Sequence, residues 1–275
     1  MTAMRNVTGT AFVVAEFRDE ENREPHPLYH DPIVHLFLDQ DSKQAADRIF
    51  ASFPAIKKMV RIRTRYLDDQ LDHQLQLGYR QVVILGAGLD TRAERKAAPN
   101  VAYFEIDDGK IQAFKKARLE ENRVEARVRF IPGNYVTDGL VDLLERNKFN
   151  FGLPTHFIWE GNTMYLTSDA VGQVLTDITR HIKQCSVSFD YMAEEVIAKT
   201  TGDHEITKVV ERFAAMGAPW IYGVNDLEKL ASACGATIME SFKMADLHGA
   251  YWPTKRLDSP IYYYYSICTL QALNH

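Results

Sequence analysis

Apolar residues in this chain gather in short continuous runs separated by longer amphipathic stretches, and that alternation predicts most of its elements. The runs near 81–85 (QVVIL), 101–106 (VAYFEI), 127–131 (RVRFI), 155–160 (THFIWE) and 186–191 (SVSFDY) are too short for helices. They are rich in β-branched and aromatic residues, which marks them as strands, several of them apolar enough to be buried on both faces. Between them, 90–98, 109–122, 138–147 and 168–183 carry helical spacing. Strand and helix in regular alternation predict five parallel strands of a doubly wound α/β sheet. Asn225 and Glu228 form a capping-box-like start to a helix ending near Gly235, and the runs 236–240 and 261–270 supply a terminal antiparallel pair. Seven strands result, mostly parallel, with helices on both faces.

Ahead of the sheet, Ser42 to Phe53 reads as a helix stopped by Pro54. Residues 55–77, with Val60, Leu67, Leu71 and Leu75 before Gly78, read as a second. Residues 1–40 are mixed and partly polar, and the prolines of PHPLYHDP force extended or turning backbone, so this part is expected to be a cover segment. The stretch 193–222 interrupts the pattern and is expected to help form a lid. One domain over 1–275 accounts for the whole: a helical cover (1–78), a core (79–192), then a lid and closing strands (193–275).

The first strand ends in Gly86-Ala87-Gly88, and the second ends on Asp107, 21 positions beyond Gly86. That is the layout of a nucleotide-binding βαβ unit. Glycines let the backbone approach a ligand closely, and a carboxylate at the end of the second strand can accept hydrogen bonds from ribose hydroxyls, with Asp108 as the fallback. The dinucleotide version wants G-x-G-x-x-G, but Leu89, Asp90, Thr91 and Arg92 follow Gly88. With no third glycine, and with an aspartate at the positive end of the next helix, a pyrophosphate is disfavoured and a cationic or zwitterionic ligand is favoured. S-adenosylmethionine, with sulfonium, ammonium and carboxylate and no phosphate, fits. Asp90 is equally able to cap its own helix.

VVILGAGLDTR, FEID and FIWEGNTMYL (157–166), with PLYHDP (27–32), RTRYLDD (63–69) and GAPWIYG (217–223), closely resemble the S-adenosylmethionine-dependent methyltransferases related to leucine carboxyl methyltransferase. The likeness is strongest to a bacterial branch with members in polyketide pathways. It implies a Rossmann-like class I methyltransferase and assigns cofactor contacts to Arg63, Gly86, Ala87, Gly88, Asp107, Asn134, Tyr135 and Glu160. Arg63 would hold the cofactor carboxylate, although helical spacing leaves Arg61 open, and Arg18 is the nearest match to a further basic contact. Glu160 would face the cofactor cation, unless it closes a salt bridge to a local Arg or Lys. Asn134 stands where the family generally has aspartate, and would meet the adenine amino group through its carbonyl oxygen. Asn162 and Thr163 also depart from the family pattern, which keeps a non-catalytic cofactor-binding reading in view.

Composition and charge narrow the partners. A formal charge of −5 and a pI near 6.0, with Lys and Arg spread along the chain, give no footprint for nucleic acid. Three cysteines without C-x-x-C spacing suit a reducing compartment, and no signal peptide or apolar run of about 18 residues is present, so a cytoplasmic protein that neither crosses nor inserts into a membrane is expected. No H-E-x-x-H, nucleophile elbow, P-loop or Asp-Asn pair after the fifth strand occurs, so neither a metal nor another catalytic constellation is indicated. The expected reaction is in-line methyl transfer to an oxygen of a small molecule such as a polyketide-type metabolite. A carboxylate acceptor needs no base, whereas a hydroxyl would want one, for which His248 and Tyr191 are candidates. Tyr191, Tyr222, Tyr251 and Arg256 are candidates for the acceptor pocket, with Trp220 and Trp252 beside them, although aromatics also pack cores and lids. The alternatives are a protein C-terminal carboxyl methyltransferase and a nicotinamide-dependent oxidoreductase.

Overall fold

In a computed structural model of the chain, which describes residues 2–273, seven strands form one sheet in the order β3-β2-β1-β4-β5-β7-β6. The strands are β1 (Gln81–Leu85), β2 (Ala102–Asp107), β3 (Val128–Pro132), β4 (Thr155–Trp159), β5 (Cys185–Met192), β6 (Ala236–Lys243) and β7 (Tyr265–Ala272). The first five are mutually parallel, and β7 is antiparallel to both β5 and β6. Central β1 is buried along its whole length because it divides its side chains between two cores. Val82 and Ile84 join Leu67, Leu71, Met192 and Ile267 on one face. Val83 and Leu85 join Phe104, Trp159, Val174 and Phe189 on the other.

The helices that flank the sheet begin where short polar side chains satisfy exposed backbone N–H groups. Asp39 and Ser42 close a capping box at the start of α2 (Gln40–Ser52). Asp108 caps α5 (Gly109–Glu121), and Thr167 caps α7 (Ser168–His181). The long α3 (Ala55–Gln76) lies against the sheet.

Several elements depart from the expected pattern. The cover segment begins with a long helix, α1 (Thr2–Glu21). The expected helix at 90–98 shrinks to α4 (Arg92–Arg95), and the one at 138–147 becomes a π-helical turn followed by α6 (Leu140–Arg146). The 193–222 stretch holds α8 (Glu194–Ile197) and α9 (His204–Ala215). The N-cap of α10 (Leu227–Ala233) is Asp226, so the expected box of Asn225 with Glu228 is not what starts it. An unexpected helix, α11 (Met244–Tyr251), follows β6, and Pro260 with the Ser259 cap turns 260–263 into a 3-10 helix, delaying β7 to Tyr265. No helix among the described residues is long and apolar enough to cross a membrane.

Candidate cofactor and active site

The chain leaves β1 toward β2 and β3, then returns to place β4 on the other side of β1, so the two crossovers diverge at the carboxyl ends of β1 and β4. Ligands of open α/β sheets sit at such a point. A cavity of about 600 Å³ lies there. Its walls come from the Gly86–Gly88 turn, Asp107, Asn134, Tyr135 and the Glu160–Gly161 corner, with Arg63 from α3. Helix α1, through Thr10, Ala11, Val14 and Arg18, and the loop 217–221 contribute the remaining sides.

The glycines in this wall are required by space. Gly86 and Gly88 have φ of 62° and 53°, a region costly for other residues. A Cβ on Gly86 would fall 2.5 Å from the Asn162 side chain, and one on Gly88 would fall 3.1 Å from Cβ of Ala11, so α1 rests directly on the turn. At the end of β2 the Asp107 carboxylate accepts the Gly88 and Asp108 N–H groups, each at 2.6 Å, one per oxygen. Each oxygen retains a lone-pair direction. Burial raises the Asp107 pKa, against the lowering by those two N–H donors. The fallback Asp108 also lines the cavity, but its carboxylate caps α5 through the Lys110 N–H.

Beneath the cavity lies a buried ion-pair network that joins the sequence motifs. Glu160 bridges two guanidiniums, accepting from Arg63 Nε and from Arg92 Nη1 at 2.8 Å each. Burial alone would raise its pKa, but Arg92 and Arg63 outweigh burial and hold it near about 2. Arg92, 1% exposed, also pairs with Asp90 and with Asp68 at 2.8 Å. Arg95 grips Asp68 with two nitrogens at 2.6 and 2.9 Å. Arg18 pairs with Asp31 and donates to Thr91 Oγ1 at 2.8 Å. Arg63 donates through Nη1 to the Tyr265 hydroxyl at 2.9 Å, and Tyr265 donates to the buried Asp190. Gly161 leaves room for this, since a Cβ there would lie 3.0–3.2 Å from the Arg63 guanidinium, and its φ of 68° disfavours a side chain as well.

The structure therefore brings together Arg63, Gly86, Ala87, Gly88, Asp107, Asn134, Tyr135 and Glu160 on one cavity. Arg61 instead pairs with Glu21 and Glu24 at 2.8 Å each. Arg18 reaches the cavity as a member of the network, and Asp90, also on the wall, is held by Arg92, whose N–H it accepts. Asn134 requires a correction: its side-chain oxygen accepts the Val136 and Thr137 N–H groups and so caps the π-turn, leaving only its Nδ2 for a ligand. The Tyr135 phenol accepts from Trp159 Nε1 at 3.0 Å, which fixes its ring at the wall.

The acceptor-pocket assignments are corrected more thoroughly. Tyr191 points into the core on the α7 side of the sheet, with its hydroxyl 3.3 Å from Ser241. Tyr222 packs against that core, Tyr251 lies under the Arg65 guanidinium, and Arg256 is exposed. His248 is buried between Trp252 and Tyr262. None of these lines the cavity. The positions that were not anticipated are Asp31, Asp68, Arg92 and Arg95, although each stands in or beside a quoted motif. Asn162, whose amide donates to the Glu160 carbonyl at 2.7 Å and to the Leu85 carbonyl at 3.3 Å, ties β4 to β1. Thr163 donates to the Asp190 carbonyl at 2.6 Å. Both departures from the family pattern thus make hydrogen bonds that hold the carboxyl ends of the strands together.

The walls fit S-adenosylmethionine. A carboxylate with spare acceptor directions stands beside a glycine turn, and an arginine faces the same space with Nη2 in no hydrogen bond among the described residues. The sequence model of leucine carboxyl methyltransferase matches residues 11–179. A protein of Streptomyces coelicolor, provisionally named an S-adenosyl-L-methionine-dependent methyltransferase, is 31% identical over 227 residues, which cover 78% of this chain and 74% of its own. A Streptomyces avermitilis protein of similar provisional name is 31% identical over the same shares. Among solved structures, a DUF574 family protein from Streptomyces avermitilis superposes with a TM-score of 0.66 at 13% identity, covering 94% of this chain and 97% of that one. Magnesium protoporphyrin IX methyltransferase from Synechocystis PCC 6803, solved with bound SAH, gives 0.52 at 10% identity over 88% and 99% of the two chains. These two likenesses show the fold. The glycine turn, the Asp107 carboxylate and the matched sequence together make this chain a member of the leucine carboxyl methyltransferase family, an S-adenosylmethionine-dependent methyltransferase.

Proposed function

We propose that the protein moves the methyl group of S-adenosylmethionine to an ionised oxygen, carboxylate or acidic hydroxyl, of a small-molecule acceptor. The carrying observation is the make-up of the cavity wall: among the described residues it includes no histidine, lysine or cysteine, and its five carboxylates are already engaged, Asp90 and Glu160 by guanidiniums and Asp107, Asp108 and Asp138 by backbone N–H groups. An ammonium or carbon acid must lose a proton before it can attack, and needs a base placed to take it. A carboxylate arrives already deprotonated. Bound S-adenosylmethionine supplies a methyl group made electrophilic by its sulfonium. Asp107 would accept the ribose hydroxyls, and Arg63 would hold the carboxylate of the methionine part. Helix α1 and the loop 217–221 cover the site against water. Orientation of this kind contributes on the order of 7–11 kcal/mol to such reactions.

The first test is ligand-induced stabilisation. S-adenosylhomocysteine at about one hundred times its Kd should stabilise the protein by roughly 2.7 kcal/mol, while NADH leaves the melting temperature unchanged. Asp107→Ala should weaken S-adenosylhomocysteine by about 1–3 kcal/mol by calorimetry, since the ribose hydroxyls lose their acceptor. Radiolabelled methyl transfer to a mixed panel should then appear on carboxylates or phenols. Transfer confined to amines would overturn the oxygen reading.

A further inference from the structure

Behind Arg63 and Gly161 the cofactor cavity adjoins a second chamber of about 60 Å³. The two share Thr10, Val14, Arg63, Gly161 and Tyr165 as walls. Beyond that boundary the chamber is enclosed by α2, α3, α9 and Trp220, with Phe53, Ile56, Met59, Met164, Met192 and Phe213 as its main surfaces. Trp220 stacks on Phe213 at 4.7 Å between centroids.

Little in this chamber suits water. A buried water needs two to four polar partners. Arg63 spends Nε on Glu160 and Nη1 on Tyr265, which leaves one donor, Nη2, at the boundary with the cofactor cavity, and Tyr265 donates to Asp190. Beyond the boundary the polar side-chain atoms are the Tyr265 hydroxyl and the buried indole N–H of Trp220, the latter beside the Tyr165 hydroxyl of the boundary, and the other walls there are apolar. Three of the walls are methionines, which adapt to irregular apolar shapes. We propose that the methyl acceptor places a short uncharged hydrocarbon group in this chamber, so that the chamber selects the acceptor. Its volume holds on the order of two water-sized groups at ~30 Å³ each, which in hydrocarbon is about two or three carbons. The proposal rests on the oxygen-methylation reading above and adds the chemistry of the part of the acceptor that does not react.

The test uses the full chain saturated with S-adenosylhomocysteine, titrated by calorimetry with straight-chain carboxylates from acetate to decanoate and with a parallel series of 4-alkylphenols. Affinity should rise about fourfold per methylene over a few carbons and then level off. Met192→Ala should move the levelling point to longer chains. Ile56→Phe should remove the length dependence. Both residues lie on the chamber and outside the cofactor cavity, so the Kd for S-adenosylhomocysteine should match wild type, which also reports that each variant is folded. If Ile56→Phe does not fold, Met192→Ala alone decides. Intact S-adenosylhomocysteine binding with no dependence on chain length, or a levelling point unmoved in Met192→Ala, overturns the chamber assignment alone. Wild-type protein that binds no S-adenosylhomocysteine overturns the methyltransferase reading with it. Methyl transfer only to the matching alkylamines removes the oxygen reading, while the binding series still judges the chamber.

Discussion

Glu160 shows how a residue can stand in a ligand site and yet be committed to the fold. Its two oxygens are taken by guanidiniums that start 97 and 68 positions earlier in the chain, and no spacing rule in a sequence reaches that far. Gly86, Gly88 and Asp107 were legible for the opposite reason, because the turn and the strand end that need them are local. Tyr191 misled because aromatic content does not tell which face of a strand a side chain takes. It falls on the side of β5 that packs with Phe189 and Val187 and does not line the cavity. The pairing of Glu160 sets its expected phenotype. Glu160→Gln leaves Arg63 and Arg92 buried with one carboxylate fewer, so the ligand-free protein should lose on the order of 3 kcal/mol, as broken buried pairs do. Affinity for S-adenosylhomocysteine should fall as well, by at least about 1 kcal/mol, because Arg63 loses the anchor on its Nε. Chemical denaturation without ligand and calorimetry with it measure the two separately. An unchanged unfolding free energy would show that the bridge contributes nothing to the fold.

Among elements, α1 departs furthest from what the sequence promised and contributes most to closing the site. Its mixed composition reads as irregular cover, because the partners that make its buried positions favourable lie outside it. Val13 and Phe17 pack against Ala46 and Val60, and Ala15 against Val34 and Phe37. The strands of the parallel sheet were legible to within a residue or two because each is a nearly continuous apolar run, and α11 was missed because its eight residues look like a loop between β6 and β7. Helix α1 is fastened by Arg18, which grips Asp31, Thr91 and the Leu89 carbonyl next to the glycine turn. Arg18→Met keeps most of the apolar stem but leaves Asp31 with the more distant Arg95 at 3.7 Å. The helix should then separate from the turn more often. Limited proteolysis should cut within residues 2–21 faster than in wild type, with weaker S-adenosylhomocysteine binding, and added ligand should slow the cut. Cleavage and affinity equal to wild type would mean that α1 is held by its apolar contacts alone.

For the molecule as a whole, topology places the site and buried titratable groups set the pH range in which it persists. The doubly wound order with its antiparallel end followed from the alternation of runs, but the charge buried between the elements did not. His156 lies on β4 with no exposed surface, its Nδ1 2.8 Å from Ser186 and its Nε2 without a partner. Burial, and then the positive charge of Arg92, push its pKa down to about 3. The folded chain therefore keeps this imidazole neutral where an unfolded chain, with a histidine pKa near 6.5, binds a proton. Between those values the unfolded state holds more protons, so the stability contribution is complete above pH 6.5 and is lost as pH falls. The depressed carboxylates Asp31, Asp68 and Glu160 act in the same direction, but only below about pH 4.5, where unfolded carboxylates begin to protonate. His156 and these carboxylates should thus draw stability down in two stages on acidification, the earlier one depending on His156, while buried carboxylates held above their usual range, Glu105 and Asp190 among them, act in the opposite direction. One proton corresponds to about 1.4 kcal/mol per pH unit, so the share of His156 between pH 6.5 and 5.5 should be on the order of 1 kcal/mol, a melting shift of roughly a few degrees for a chain of this size. His248, also lowered by burial, adds to this stage, so His156→Gln should reduce the loss without abolishing it. Melting curves of both proteins at pH 7.5, 6.5 and 5.5 decide the matter, and an equal loss in the two would remove His156 as its source.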